Sequence, residues 1–314
     1  FDFNNYYKFK DTDLFFTILK SGDFREDSGF HFTYGNFSCL ATVDSNDLNF
    51  LKFPENISLF CSSFAGGASG YPLCFNDIEK QRKLEIIKRN TNAIKSTVKR
   101  QIQICNPSYY LPYAGFFSER APRDAYVMSL NKKNKTSDYI EALKKLEVDV
   151  LDSSIDDSFL FHGKKIKEIK KIERDDHFSE DPVTFYKKEF SGVEISNNFI
   201  EQFFKNSEFK DDLKVYFELT NDNFSETKKY IHVDFSQEII VNFETFDWHS
   251  IKGLYVQNSK IRYLHIKVRE DSFSWVLQNN MPFEDLSIGF QCRVDRKPDI
   301  YNVKFWDHFT NVYI

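Results

Sequence analysis

The chain has 314 residues, and at roughly 150 residues per domain that length points to two domains. A net charge of −5 gives no reason to expect nucleic acid or an anionic membrane as partner, and no window approaches the ~20 consecutive apolar residues of a membrane span. With 35 Phe and 16 Tyr, the expected core is built from rings rather than aliphatic side chains. The five cysteines, Cys39, Cys61, Cys74, Cys105 and Cys292, show no paired spacing. They read as small buried hydrophobes in a reduced, cytoplasmic compartment. The first thirty residues carry acids throughout and lack the apolar centre of a signal peptide. The chain opens on Phe1 in what reads as mid-fold sequence, so a fragment is expected.

In chain order, residues 13–19, 30–34 and 37–43 are aromatic and β-branched runs at hairpin spacing and predict three strands. The third ends on Asp44, where a carboxylate can hold a metal or cap the next turn. A short apolar run to Cys61 then enters a small-residue loop containing Gly66, Gly67, Ser69 and Gly70. A strand, a small-residue loop and a helix in succession make a ligand site of α/β proteins, or simply a close-packed turn. It is neither a phosphate-binding Gly-Lys-Ser/Thr loop nor a nucleophile elbow. Residues 76–103 predict a helix with one buried stripe, Leu84, Ile87, Thr91, Ile94, Val98 and Ile102. Its many cations, Lys83 and Lys88 among them, read as a solvated face. Tyr109 to Phe117 is an aromatic turn region in which Tyr113 could line a pocket or fill core.

Composition turns Lys- and Glu-rich over 131–181, which sets the domain boundary near 178, giving domains 1–178 and 179–314. Beyond it a helix is expected at 196–205 and strands at 213–219, 230–235, 238–243, 253–257 and 262–268, paired antiparallel with one covered face. Helices near 273–279 and 283–292 close the chain. Arg293, Asp295, Arg296 and Asp299 form a charged patch beside Tyr301. It is either an anion or nucleotide contact or an internal Arg–Asp network.

Phe64 to Pro72, reading FAGGASGYP, resembles the FAGGASGFP segment of the CMP-N-acetylneuraminate hydroxylases. Tyr110 to Phe117 resembles that family's YCPFAGYF, Ala41 to Asp44 its NTVD, and Leu286 to Arg293 with Arg296 to Tyr301 and Phe305 to Phe309 its C-terminal segment. The resemblance implies an incomplete metallo-β-lactamase-like αββα sandwich over 1–178, α/β in class, followed by an antiparallel α+β domain. It implies a sugar-nucleotide ligand, held by Gly66, Gly67, Ser69, Tyr113, Arg293 and Tyr301, and a metal at Asp44, iron or zinc in the complete family fold.

This chain departs from the family where chemistry would sit. Phe24 stands near a family His, Ser63 replaces an Asp, and Ala121 replaces the His of ESHP. No two of the seven His are close enough for HxH, HxxH or HxxxH spacing, and no Cys precedes a His by two, so neither an HxHxDH motif nor a Rieske motif is present. Catalytic residues are therefore not assigned. The expected function is part of a hydroxylase-like protein acting on a sugar nucleotide, with an N-terminal segment or a partner supplying the missing ligands. The alternatives are a non-catalytic binding module of that fold and a divergent phosphoester metallohydrolase.

Overall fold

The structure is a computed structural model and describes residues 1–22, 27–42, 45, 48, 52–66, 70–115, 121–152, 157–171, 184, 188, 194–258 and 260–310. The strands are β1 (Tyr7–Lys8), β2 (Leu14–Lys20), β3 (Ser28–Tyr34), β4 (Phe37–Ala41), β5 (Leu59–Ser62), β6 (Tyr109–Pro112), β7 (Asp149–Val150), β8 (Asp157–His162), β9 (Lys165–Lys171), β10 (Leu213–Thr220), β11 (Thr227–Asp234), β12 (Ile240–Asn242), β13 (Arg262–Arg269) and β14 (Cys292–Lys297). The helices are α1 (Lys80–Cys105), α2 (Ala125–Leu130), α3 (Thr136–Leu143), α4 (Asn197–Asn206), α5 (Trp248–Gln257), α6 (Glu270–Gln278), α7 (Glu284–Ile288) and α8 (Val303–Thr310). The chain divides into two units, each with its own sheet. The first comprises residues 1–67, 86–118 and 132–177, and the second 68–85, 119–131 and 178–314.

In the first unit β1 to β7 lie side by side in chain order. The first four run antiparallel, β2 to β4 as hairpin spacing predicts, and β4 to β7 run parallel. Parallel neighbours need long crossovers and cover on both faces. On one face Leu40, Phe60 and Tyr110 pack against Val98, Ile102 and Cys105 of α1 and Tyr139 and Leu143 of α3. The other face packs Cys39, Leu59 and Cys61 against Phe159, Phe161 and Ile166 of the β8–β9 hairpin. The predicted stripe of α1 is thus buried at Val98 and Ile102. Buried Asn134 donates to the carbonyls of Phe64 at 3.1 Å and Thr91 at 2.9 Å, tying the chain after β5 to α1.

In the second unit the strand order is β12-β11-β10-β13-β14. Three pairings are antiparallel, as the alternation predicts, but β10 and β13 are parallel. The reason is α5, where the sequence suggests a strand over 253–257. Asp247 caps this helix by accepting from the backbone N–H of His249 at 3.1 Å and Ser250 at 3.2 Å. A satisfied N-cap outweighs the β-like Leu254-Tyr255 pair, and a helical crossover returns the chain parallel. The helix expected over 283–292 also stops early: α7 ends at Ile288, and Cys292 opens β14.

One face of this sheet is covered by rings. Phe217 and Phe235 meet Phe204 of α4, Phe273 of α6, Phe283, and Phe305 and Phe309 of α8. Burying each contributes about 1.5–3 kcal/mol. The first unit is α/β and the second α+β. Among the described residues no helix is long and apolar enough to cross a membrane.

Candidate functional site on the polar face of the second sheet

Successive residues of a strand point to opposite faces. Phe217, Ile266 and Val294 therefore face the ring cluster, while Glu218, His265, Lys267, Arg269, Arg293 and Asp295 share the other side. The pairings put His265 opposite Asp295 and Lys267 opposite Arg293, with Glu218 level with Lys267. The result is one polar sheet face with an acid–histidine half and an arginine half.

In the first half His265 Nε2 lies 2.8 Å from Glu218 Oε1, and Nδ1 lies 3.4 Å from Asp295 Oδ2. Lys252 of α5 reaches both Asp295 and Asp77 at 3.1 Å. Trp248 stacks on the His265 ring at 4.5 Å. Burial raises the Glu218 carboxyl, but hydrogen bonds from His265 and Thr227 and the charge of Lys267 outweigh it and hold its pKa down at about 2. Asp295 is likewise held below its ordinary value against burial, first by His265. Burial and the neighbouring Asp295 push Asp77 up. The His265 side chain is 1% exposed, so this half ties three strands, α5 and the Asp77 segment together and presents no reactive group to a ligand.

The second half is cationic. Arg269, fully buried, donates to Asp124 Oδ1 at 2.9 Å, Gln291 Oε1 at 2.8 Å and the Asp222 carbonyl at 2.8 Å. Burial lowers its pKa and the Asp124 carboxylate opposes that shift. Arg123 pairs with Asp222 at 3.3 Å and Asp271 at 3.6 Å. Lys83 is buried, correcting its reading as a solvated helix cation: its Nζ donates to the Leu73 carbonyl and to Tyr126 Oη. Arg293 lies over the Phe224 ring at 4.3 Å and the Tyr126 ring at 5.7 Å, and among the described residues its side chain donates to the carbonyls of Phe290 and Cys292.

Among the described residues Arg269 and Arg123 thus pair with Asp124, Asp222 and Asp271, whereas Lys83 and Arg293 meet carbonyls and rings. Close to these cations lies the buried thiol of Cys74. Its contact with the Cys292 thiol, and then Arg293, Lys83 and Arg269, hold it below the ordinary thiol range against burial.

The sequence-predicted residues do not form one group. Gly66, in the first unit, has φ 69°, and a Cβ there would sit 2.6 Å from Ile94 Cδ1, so close packing on α1 accounts for the glycine. Tyr113, also in the first unit, packs on the cluster of Cys39, Leu59, Cys61 and Leu151. Gly67, Ser69 and Asp44 lie outside the described residues. The predicted charged patch divides: Asp295 turns to His265 and Lys252, Arg296 pairs with Asp299 at 2.7 Å and lies over Phe75, and Tyr301 is exposed. Arg269, Arg123, Asp124, Glu218, Lys252 and Phe224 were not singled out by sequence. Charged–apolar alternation is a local signal for Glu218 in Leu213–Thr220 and for Arg269 in Arg262–Arg269; Arg123, Asp124, Lys252 and Phe224 lie outside these strands.

The resemblance implies iron or zinc. Among the described residues no group of three or more His, Cys, Asp or Glu could hold a metal ion. The His265 ring is engaged by Glu218 and Asp295. The described donors do not fit such a centre.

No family model matches the chain. Among curated proteins, cytidine monophosphate-N-acetylneuraminic acid hydroxylase of Sus scrofa is 28% identical over 317 residues, covering 95% of this chain and 70% of that protein. The Pan troglodytes hydroxylase is 28% identical over 95% of this chain and 52% of its own length. A Homo sapiens relative, named an inactive cytidine monophosphate-N-acetylneuraminic acid hydroxylase, is 27% identical over 95% of this chain and 61% of its own. The chain thus spans 70% of the pig relative and about half of the chimpanzee one. Among solved structures, the metallo-β-lactamase fold protein YhfI from Bacillus subtilis overlaps 48% of this chain and 50% of its own at 16% identity and a TM-score of 0.28. The chain is hydroxylase-like along nearly its whole length.

Proposed function

We propose that this chain is part of a CMP-N-acetylneuraminate hydroxylase-like protein of metallo-β-lactamase fold, and that it recognises an acidic sugar nucleotide. The observation that carries the reading is the similarity to the hydroxylases over 95% of the chain. The arginine half of the second sheet supports it. Such a ligand carries a phosphate and a carboxylate, and guanidinium groups bind both through paired N–H donors. Among the described residues Lys83 and Arg293 are the cations of this half without a carboxylate partner, while Arg269 and Arg123 are engaged by carboxylates. The oxygen chemistry of a hydroxylase belongs to residues other than those described here. We place the protein in the cytoplasm, because its five cysteines are free and buried.

The departures at Phe24, Ser63 and Ala121 favour a second reading, a binding module without hydroxylase activity. Both are tested by calorimetric titration of the chain with CMP-N-acetylneuraminate, followed by product analysis with reductant and oxygen. Binding with product formed only when a segment or partner carrying the metal ligands is added supports the first reading, binding with no product even then supports the second, and no binding overturns both. Hydrolysis of a phosphodiester that depends on added metal would favour a metallohydrolase instead.

A further inference from the structure

Phe224 lies in the turn between β10 and β11 with φ 62°, a left-handed conformation that a bulky residue seldom adopts. The turn is held there by Asn221, whose carboxamide oxygen accepts from the N–H of Ser225 at 3.0 Å and of Glu226 at 3.3 Å. The held ring contacts two guanidinium groups, Arg293 at 4.3 Å and Arg269 at 4.8 Å. The two arginines differ in what else they meet. Arg269 is fully buried, with a carboxylate, a carboxamide and two carbonyls around it. Arg293 is only half-buried, its second ring Tyr126 is 41% exposed, and among the described residues it has no carboxylate partner. A strained backbone that serves to hold a ring against a cation is strain placed where it orients a functional group.

The geometry points to Arg293 as an oxyanion-binding residue and to Phe224 as the positioning residue that sets the plane of its guanidinium. The ligand class is a compound bearing a phosphate or carboxylate group. Nη1 is held by the carbonyls of Phe290 and Cys292, and the rings fix the guanidinium plane, leaving its remaining N–H edge to take two oxygens of one anion. Lys83, fixed between the Leu73 carbonyl and Tyr126 Oη, adds charge behind the same ring. The identity of the ligand as a sugar nucleotide rests on the reading proposed above, whereas the oxyanion site itself stands on this geometry.

The test is calorimetric titration of the whole chain at low salt with four probes: pyrophosphate, CMP, free N-acetylneuraminate and CMP-N-acetylneuraminate. CMP and N-acetylneuraminate separate the phosphate from the carboxylate as the group bound. Arg293→Lys keeps the charge and loses the planar fork, and is expected to weaken binding about ten- to a hundredfold. Phe224→Gly removes the ring at a φ that glycine accepts, so the fold is kept, and the expected loss is about tenfold. Phe224→Tyr keeps the ring and should restore the affinity, which a merely structural turn residue would not require. Lys88→Ala on the exposed face of α1 is the control and should leave binding unchanged. CMP-N-acetylneuraminate binding that is equal in wild type and Arg293→Lys overturns the site and leaves the family reading standing. Arg293-dependent binding of pyrophosphate without CMP-N-acetylneuraminate supports the site and overturns the family reading. Binding of no probe overturns both.

Discussion

His265 Nε2 lies 2.8 Å from Glu218 Oε1 across the parallel pair β10 and β13, with the imidazole 1% exposed and the carboxylate 9%. Glu218 is held at about 2 against an ordinary value of 4.5. A folded-state pKa below the unfolded one adds stability that is present above the unfolded value and is lost as pH falls through the folded one. Glu218 should therefore contribute about 3 kcal/mol at neutral pH, lost between pH 4.5 and about 2. Urea unfolding at pH 7, 5 and 3 should show this slope in wild type and a shallower one in Glu218→Gln. Parallel profiles would mean that other carboxylates carry the acid sensitivity.

Arg269 and Arg293 should separate cleanly in stability measurements. Arg269→Met strands Asp124, which is 7% exposed, without its cation, and should cost about 3–5 kcal/mol. Arg293→Ala gives up two hydrogen bonds to carbonyls and its ring contacts, about 1–2 kcal/mol. Equal losses in thermal melts of the two variants would put Arg293 inside the buried network instead.

Gly115 has φ 118°, and a Cβ there would sit 2.6 Å from Ala65 Cβ and 3.2 Å from Ala65 N. Backbone cannot yield as a side-chain tip can, so Gly115→Ala should cost about 1–3 kcal/mol. Gly66→Ala meets only the terminal methyl of Ile94 and should cost less. Chemical denaturation of the two variants ranks them, and the reverse order would show that Ile94 is held rigidly.

Arg269 depends on Asp124, and Lys252 bridges Asp295 to Asp77. A fragment of residues 179–314 lacks both Asp124 and Asp77. Its β13 amides are expected to exchange hydrogen faster than in the whole chain. Equal protection would show that the ring cluster alone carries the second unit.

Metal content gives the last expectation. Asp44 is the sole ligand nominated from sequence, and a catalytic zinc or iron site takes about three protein ligands. Elemental analysis of the dialysed chain should find far less than one equivalent of iron, zinc or manganese. Stoichiometric metal that disappears in Asp44→Ala would reveal a centre assembled around Asp44.

Much of the fold was legible in the sequence because its signals are local. Aromatic and β-branched runs at hairpin spacing marked β2, β3 and β4, period-two alternation marked β10 and β11, and three-to-four spacing of apolar residues marked α1. The family resemblance rested on contiguous segments such as Phe64 to Pro72 and Leu286 to Arg293. Local signals failed where a cap competed with propensity: Asp247 turned Trp248–Gln257 into a helix, and that helix made β10 and β13 parallel. The site was not legible because its members are far apart in the chain. Arg269 meets Asp124 across 145 residues and Arg296 N–H meets Asp77 across 219. A sequence shows that Arg293, Asp295 and Arg296 are neighbours, but not that strand alternation sends the first two to a polar face. Nor does it show that His265 claims Asp295, or that a strained Phe224 lies against Arg293. Those outcomes depend on which strands pair and in which register, and only the tertiary structure decides that.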